Sequence, residues 1–252
     1  MKNSPIYFSG KFLCVTLSRF FLGLVEREPL LTRSSSISSQ RWTHTMNHFW
    51  EEGRYTLDSK ASFASMSSWT INHRLTTSYN AVKKNPEGVI DKLREQWEKN
   101  SKTYYQQLQA AYDENDPVEV AAKFIYLVSM SFYSIYRVAK DNTWRMSYKT
   151  GQQLSLSNLN YKIIHCSAHL QDASICTKDF SFIEPGKNDF VYFDPPYYKL
   201  EEKMYTPRPF DEKEQSRLKN FTNELDKNGT KFATSNSDTP FIRNLYKGYD
   251  TR

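Results

Sequence analysis

A run of four residues, Asp194-Pro195-Pro196-Tyr197, combines groups that could hold a flat ring bearing an amino group. Because two successive prolines cannot donate hydrogen bonds to a sheet, the chain must leave any preceding strand in a rigid, extended turn. Such a turn presents a carboxylate, backbone carbonyl oxygens and an aromatic ring together. The oxygens can accept the hydrogens of the amino group while Tyr197 stacks on the ring. A plain strand-ending turn is the alternative, since Asp and Pro are common turn residues.

The chain around this turn alternates between apolar strands and helices. The predicted strands are residues 161–166, 174–177, 190–193 and 231–235, and the predicted helices are residues 211–227 and 240–246. Strands that alternate with helices indicate an α/β fold with a parallel sheet. Ligands bind such sheets at the carboxyl ends of the strands, which is where Asp194 lies.

Residues 71–150 have a different pattern, in which apolar residues recur at helical spacing. Leu75, Tyr79 and Val82 share one helical face, and the pairs Asn85-Pro86 and Asp116-Pro117 are good helix starts. We therefore predict a compact helical bundle with basic residues on its outside.

The segment before this bundle is the hardest to interpret. Residues 12–25 are apolar and follow two lysines, as in a leader peptide, but Arg19 interrupts them and no small-residue cleavage site follows. We predict a buried helix there. Residues 26–70 show no hydrophobic period of either 2 or 3.6, so they are predicted to be loop or poorly ordered chain.

Composition excludes several classes of protein. Aromatic residues make up 15% of the 252 residues, which argues against a disordered chain, and no apolar run approaches the roughly 18 residues of a membrane span. The three cysteines lack C-x-x-C spacing and the five histidines form no ligand grouping, so we expect neither disulfides nor a metal and predict a cytoplasmic protein. The net charge of +6 arises entirely within residues 1–150, where a polyanion would bind, although an ordinary charged surface is equally simple.

Residues 190–197 resemble the catalytic motif of the Dam-like (D12 class) DNA adenine-N6 methyltransferases. Further segments resemble the same family in the same order, and the resemblance covers residues 4–11 and roughly 71–250. These segments are residues 4–11, 133–137, 178–180 and 235–242. The resemblance implies a Rossmann-like sheet typical of S-adenosylmethionine-dependent methyltransferases, formed by residues 1–70 and 151–252. It also implies that residues 71–150 are an inserted helical domain that recognises double-stranded DNA.

The family resemblance also implies roles for individual residues. The catalytic motif is Asp194, Pro195, Pro196 and Tyr197, in which Asp194 and the Pro195 carbonyl would hold the adenine N6 amino group and Tyr197 the flipped ring. S-adenosylmethionine would contact Tyr7, Lys11, Asp179 and Asp194. The expected DNA contacts are Lys83, Lys84, Arg137, Lys140 and Arg145. A monomer is expected, with a cognate restriction endonuclease as a candidate partner.

Simpler structural roles are open for several of these residues. Lys11 could be an ordinary surface lysine, Asp179 a turn carboxylate, and the basic side chains a solvated face. Asn236 and Asp238 more often cap a following helix, and Asp238 is well placed to do so.

The sequence departs from the family pattern in three places. The family has a glycine-rich cofactor loop, but the eight glycines here never form G-x-G. Thr70 stands where the family has an acid that binds the cofactor ribose. The chain also stops where the family continues with at least one more strand. We therefore hypothesise that residues 12–70 are a scrambled or frame-shifted replacement and that this copy binds S-adenosylmethionine weakly or not at all.

Three interpretations of the function follow from this comparison. The protein could be an active adenine methyltransferase with an unfamiliar cofactor loop. It could instead be a catalytically defective remnant that at most binds DNA. A methyltransferase that acts on amides or on RNA is the third interpretation, since related D/N-P-P-Y turns serve other planar amino groups.

Overall fold

A five-stranded parallel sheet forms one half of the molecule. The computed structural model describes residues 6–7, 12–16, 61–62, 66–111, 115–134, 136–151, 155–198 and 209–250. The strands in chain order are β1 (Ile6–Tyr7), β2 (Phe12–Thr16), β3 (Ala61–Ser62), β4 (Met66–Thr70), β5 (Ala173–Thr177), β6 (Phe190–Asp194) and β7 (Lys231–Thr234). The sheet has the order β5-β4-β2-β6-β7, and β1 pairs with β3 in a separate parallel pair. The predicted α/β class is therefore correct.

Strand β6 is buried because its residues are apolar on both faces. Phe190, Val191 and Phe193 are all at most 8% exposed. Such a continuous apolar run is expected for a strand covered on both faces of a parallel sheet. The strands predicted at residues 174–177, 190–193 and 231–235 are confirmed as β5, β6 and β7.

The order of the strands creates a crevice beside β6. From β2 the chain passes to β4 and β5 on one side, and from β6 it passes to β7 on the other side. Thr16 at the end of β2 is the register partner of Asp194 at the end of β6. Open α/β sheets bind ligands where the direction of winding changes in this way, outside the carboxyl ends of the strands. Asp194 therefore lies at the position in the sheet best suited to a ligand.

Among the described residues, five α-helices between β4 and β5 pack around a shared apolar core. They are α1 (His73–Lys84), α2 (Pro86–Glu98), α3 (Lys102–Ala110), α4 (Pro117–Ser129) and α5 (Leu156–Leu170). The Asn85 side chain accepts a hydrogen bond from Gly88 N at 3.0 Å, and Asp116 accepts one from Val118 N at 2.9 Å. Both caps precede a proline at the first helical position, as the sequence predicts.

Two further predictions are wrong because short apolar runs do not distinguish strands from helices. Residues 161–166 are not a strand but the middle of α5 (Leu156–Leu170). Its buried apolar side chains are spaced four, three and four residues apart: Leu159, Ile163, Cys166 and Leu170. Residues 12–16 form β2 rather than a buried helix.

The loop predicted over residues 26–70 is also wrong in its last part, since β3 and β4 lie there. β4 pairs with β2 on one side and with β5 on the other. Its residues Met66-Ser67-Ser68-Trp69-Thr70 lack an apolar period, so long-range pairing rather than local pattern defines this strand.

A second apolar cluster lies between β6, β7 and the helix α6 (Glu212–Lys227). It includes Phe193, Leu218 and Leu225, each at most 3% exposed. The last helix is α7 (Pro240–Leu245), and the sequence predicts both it and α6. Among the residues described, no helix is long and apolar enough to cross a membrane.

Candidate active site

Asp194 is the last residue of β6 and is almost completely buried, with 8% of its surface exposed. The Ser235 hydroxyl donates a 2.7 Å hydrogen bond to its Oδ1 atom. Ser235 is itself fixed to the same strand, because its backbone N–H donates to the Phe193 carbonyl at 3.0 Å. The carboxylate therefore has a defined orientation at the mouth of the crevice.

The two prolines differ in what their carbonyl groups contact. The Pro196 carbonyl accepts a 2.8 Å hydrogen bond from Gln215 Nε2. Within the described part of the chain, no donor bonds to the Pro195 carbonyl oxygen. Pro195, which follows Asp194 directly, is thus the proline whose carbonyl can accept from a substrate.

The residues after the prolines are held by the loop that follows β7. The Tyr198 N–H donates to Asn236 Oδ1 at 3.1 Å, and the Tyr198 carbonyl accepts from the Ser237 hydroxyl at 2.6 Å. The Tyr198 phenol bonds to the Glu212 carboxylate, which raises the pKa of Tyr198. Its ring packs on Phe241 at 4.6 Å between centroids. Tyr198 is thus a structural anchor, and the half-buried Tyr197 beside it is the aromatic candidate for a base.

Asp179 lies just beyond the carboxyl end of β5, where it starts a short 3₁₀ helix (Phe180–Phe182). Its two carboxylate oxygens each accept a 2.8 Å hydrogen bond from the Arg217 guanidinium. This pairing lowers the pKa of Asp179 to about 2, with further contributions from hydrogen bonds to Ser181. Asp179 is therefore ionised at neutral pH. Its carboxylate pairs with Arg217, and any hydrogen bond to a ligand would be made by the same charged group.

Replacing Asp179 by asparagine is expected to make the free energy of unfolding less sensitive to a fall in pH. The folded pKa of about 2 lies below the ordinary value of 3.8, so the carboxylate stabilises the fold above about pH 4. That contribution fades as the pH falls through 4 toward 2. The difference in unfolding free energy between wild type and Asp179→Asn should therefore be largest at pH 7 and smaller at pH 3, measured by urea denaturation. Asp172→Asn, an exposed change in the turn before β5, is the control; a difference that grows in acid would contradict this account.

Two exposed apolar side chains flank the neighbouring strand ends. Ile71 follows β4 and is 49% exposed, and Phe182 follows β5 and is 64% exposed. Thr70, the last residue of β4, is buried; its hydroxyl accepts from Asn72 N at 3.2 Å and its carbonyl from Lys178 N at 3.0 Å. This edge therefore offers apolar surface to a flat group, but position 70 provides no carboxylate.

The other predicted cofactor residues lie elsewhere along the chain. Tyr7 is in β1 and pairs with Ser62 of β3. Lys11 lies outside the described residues. Their assignment to a cofactor stays a prediction.

Three of the predicted DNA-binding residues share one hairpin, residues 136–146, which we call the basic hairpin. Val138 and Trp144 pair across it and are buried, at 3% and 7% exposed. Arg137 lies opposite Arg145, whose N–H donates to the Arg137 carbonyl at 2.9 Å. Arg145 is exposed, whereas Arg137 is half-buried and its Nε atom is buried. Lys140 is exposed at the turn.

The basic hairpin is anchored to α1, the first helix after β4. Arg74 donates to the Asn142 carbonyl at 2.7 Å, and its guanidinium lies 4.6 Å from the centre of the Trp144 ring. Asn142 has a positive φ of 64°, as tight turns often require. The tip of the basic hairpin is thus held against α1, the helix that follows β4.

Lys83 and Lys84 lie at the end of α1, away from the basic hairpin in sequence. Lys83 donates to the Ala173 carbonyl at 2.8 Å and so links α1 to the start of β5. Lys84 is exposed. The structure therefore brings together Arg137, Lys140 and Arg145 but gives Lys83 a structural contact.

The sequence did not indicate the residues that hold the turn at residues 194–197 and Asp179. Gln215, which contacts the turn, and Arg217, which pairs with Asp179, lie on α6 and have the pattern of ordinary helix positions. Asn236 and Asp238 were both expected to cap the following helix, which is wrong for both: Thr239 caps α7. Asp238 instead pairs with Arg243. No local spacing rule predicts these contacts with the turn, because the Gln215–Pro196 and Tyr198–Asn236 bonds bridge 19 and 38 positions.

Comparison with known proteins agrees with this arrangement. Residues 44–251 match the D12 class N6 adenine-specific DNA methyltransferase family. The chain is 32% identical over 194 residues to the type II methyltransferase M1.LlaDCHI of Lactococcus lactis subsp. cremoris, covering 71% of this chain and 68% of that protein. It is 30% identical over 203 residues to the type II methyltransferase M.MjaIII of Methanocaldococcus jannaschii, covering 72% and 69% respectively. Since the family match includes the strand, the turn and the basic hairpin, the chain belongs to the D12 class of N6 adenine-specific DNA methyltransferases.

Proposed function

We propose that the turn Asp194-Pro195-Pro196-Tyr197 is where this protein methylates N6 of adenine in a specific sequence of double-stranded DNA. The observation that carries the proposal is the buried, oriented Asp194 carboxylate at the winding change of the sheet, next to a proline carbonyl that can accept. These two acceptors match the two hydrogens of an exocyclic amino group. Tyr197 supplies a ring on which a planar base can stack.

The reaction at this turn follows from the hydrogen bonds that its residues can accept. An adenine inside a duplex is out of reach, so it must be flipped out at a cost of about a few kcal/mol. Asp194 and the Pro195 carbonyl hold the amino group, and Tyr197 holds the ring. The methyl donor would supply its methyl group to N6 and leave as a neutral thioether, and the proton that N6 loses would pass to water. The carboxylate lowers the barrier by accepting hydrogen bonds from the nitrogen as positive charge develops on it.

The cofactor in this proposal is S-adenosylmethionine, which supplies the methyl group on a sulfonium. Methyltransferases of this family use it in general. The exposed side chains of Ile71 and Phe182 can pack on the faces of the adenine ring of S-adenosylmethionine. The ionised carboxylate of Asp179 can accept a hydrogen bond from the same cofactor. Asp194, at the end of β6 and two strands away from β4, fits the positively charged part. These residues suit the group even though Thr70 provides no acid.

We propose that the basic hairpin contacts the DNA backbone and that the helices α1–α4 form the inserted recognition unit. Arg137, Lys140 and Arg145 place three positive charges on one hairpin, and arginine suits phosphate because its donors are arranged in a fork. Both curated relatives are named type II methyltransferases. A restriction endonuclease of the same specificity is accordingly the functional partner that we propose.

Calorimetric titration with S-adenosylmethionine separates this function from a second candidate, a remnant that only binds DNA. Thr70 in place of an acid is the observation that favours the remnant. We expect saturable, one-to-one binding at micromolar cofactor, and competition by S-adenosylhomocysteine. No heat of binding, together with intact DNA binding in a gel-shift assay, would support the remnant instead.

A further inference from the structure

We propose that Gln215 and Asn236 are positioning residues of this site, whose paired side-chain amides fix the backbone on both sides of Tyr197. Gln215 belongs to α6 and Asn236 to the loop after β7, so neither is part of the catalytic turn itself. The inference rests on the proposed function, since it concerns the ring that would stack on the flipped adenine.

The contacts form a single chain of hydrogen bonds. Gln215 is fully buried, and its Nε2 atom donates to the Pro196 carbonyl at 2.8 Å. Its Oε1 atom accepts from Asn236 Nδ2 at 2.9 Å. Asn236 Oδ1 then accepts from the Tyr198 N–H at 3.1 Å. One end of the chain therefore holds the residue before Tyr197, and the other end holds the residue after it.

The direction of this chain is fixed by the backbone groups at its ends. The Pro196 carbonyl can only accept, so the amide of Gln215 must turn its NH₂ group toward it. Gln215 then presents an oxygen that accepts from the NH₂ group of Asn236, and the Asn236 oxygen is left to face the Tyr198 N–H. Reversing either amide would put two acceptors or two donors against each other. The pair therefore has one orientation that satisfies every group.

This arrangement matters because Tyr197 lies between two anchored residues. Pro196 cannot shift without breaking a bond to the buried Gln215 amide, and Tyr198 cannot shift without breaking one to the half-buried Asn236 amide. An unsatisfied buried polar group is costly. Positioning errors of about 1 Å in a reacting complex can reduce the rate by roughly 10²-fold. Gln215 and Asn236 thus act on catalysis through Tyr197, without touching the base.

The test compares Gln215→Leu and Gln215→Glu with Gln96→Leu. Gln96 is another buried helical glutamine, 6% exposed, but it lies in α2, away from the turn. Gln215→Leu removes both bonds, and Gln215→Glu keeps the size but turns an oxygen toward the Pro196 carbonyl. Both are expected to lower kcat by roughly 10- to 100-fold while KM for DNA and cofactor changes less than about threefold. Gln96→Leu should keep the wild-type kcat.

Hydrogen exchange of the turn gives a second readout that does not depend on methyl transfer. The amide of Tyr198 should exchange at least about tenfold faster in both Gln215 variants than in wild type or Gln96→Leu. If a Gln215 variant does not fold, Asn236→Ala, at a half-buried loop position, replaces it with the same expected result. Wild-type kcat with unchanged exchange, or a loss confined to KM, would overturn the inference. If the wild-type protein methylates nothing, the proposed function fails, and the exchange rates alone decide whether the two amides hold the turn.

Discussion

Asp194→Ala is expected to lower the rate of DNA methylation about 10³-fold without unfolding the protein. The carboxylate is the oriented acceptor at the crevice, and removing one group that stabilises developing charge in a water-poor site costs roughly 10²–10³-fold or more. Asp194→Asn should be almost as damaging, although it preserves the size of the side chain. Its NH₂ group would meet the hydrogens of the substrate amino group instead of accepting them.

The matched control for this prediction is Asp189→Ala. Asp189 immediately precedes the same strand at its opposite end, where it accepts from the Gly186 N–H at 2.7 Å. It should therefore retain methylation close to wild type. The measurement is single-turnover transfer of a labelled methyl group to duplex DNA, with thermal melting of each variant as the test of folding. An Asp194→Ala protein that keeps more than about a tenth of wild-type activity would exclude Asp194 from the chemistry.

Removing both arginines of the basic hairpin should produce the second large effect, on DNA affinity. Arg137→Ala/Arg145→Ala is expected to weaken binding roughly ten- to hundredfold and to reduce the slope of log K against log salt by about 1 for each phosphate that is no longer neutralised. The hairpin should stay folded, because its other face is anchored by Val138, Trp144 and the packing of Arg74 on the Trp144 ring.

Arg94→Ala/Lys99→Ala removes the same charge from α2 and from the residue that directly follows it, and serves as the control. Both side chains are exposed, and Arg94 already pairs with Asp91. Fluorescence anisotropy with labelled duplex at several salt concentrations gives both the affinity and the slope. Equal losses in the two double variants would mean that net charge, rather than the hairpin, governs binding.

Much of the site could be predicted from the sequence because the patterns that indicate it involve residues that are adjacent in the chain. The apolar run before Asp194 and the two prolines after it define a strand end from adjacent residues alone. The helix starts at Asn85 and Asp116 follow equally local capping chemistry. The alternation of strands and helices then places Asp194 at the carboxyl edge of a parallel sheet.

The incorrect and missing predictions have a common physical cause, which is dependence on residues outside the segment itself, whether near in sequence or far. Residues 161–166 have a helical period only when the buried positions Leu159 and Leu170 on either side are included. β4 is a strand because β2 and β5 pair with it, not because of its own residues. Gln215 gains its importance from a carbonyl 19 positions earlier, which no local pattern records.

The most direct test of the account is the identity of the methylated product. Purified protein is incubated with S-adenosylmethionine and unmethylated duplex DNA of varied sequence, and the DNA is digested to nucleosides and analysed by mass spectrometry. The account predicts N6-methyl-2′-deoxyadenosine, confined to one sequence context and absent with Asp194→Ala. No methylated nucleoside at any protein concentration, or methylation of cytosine instead, would contradict it.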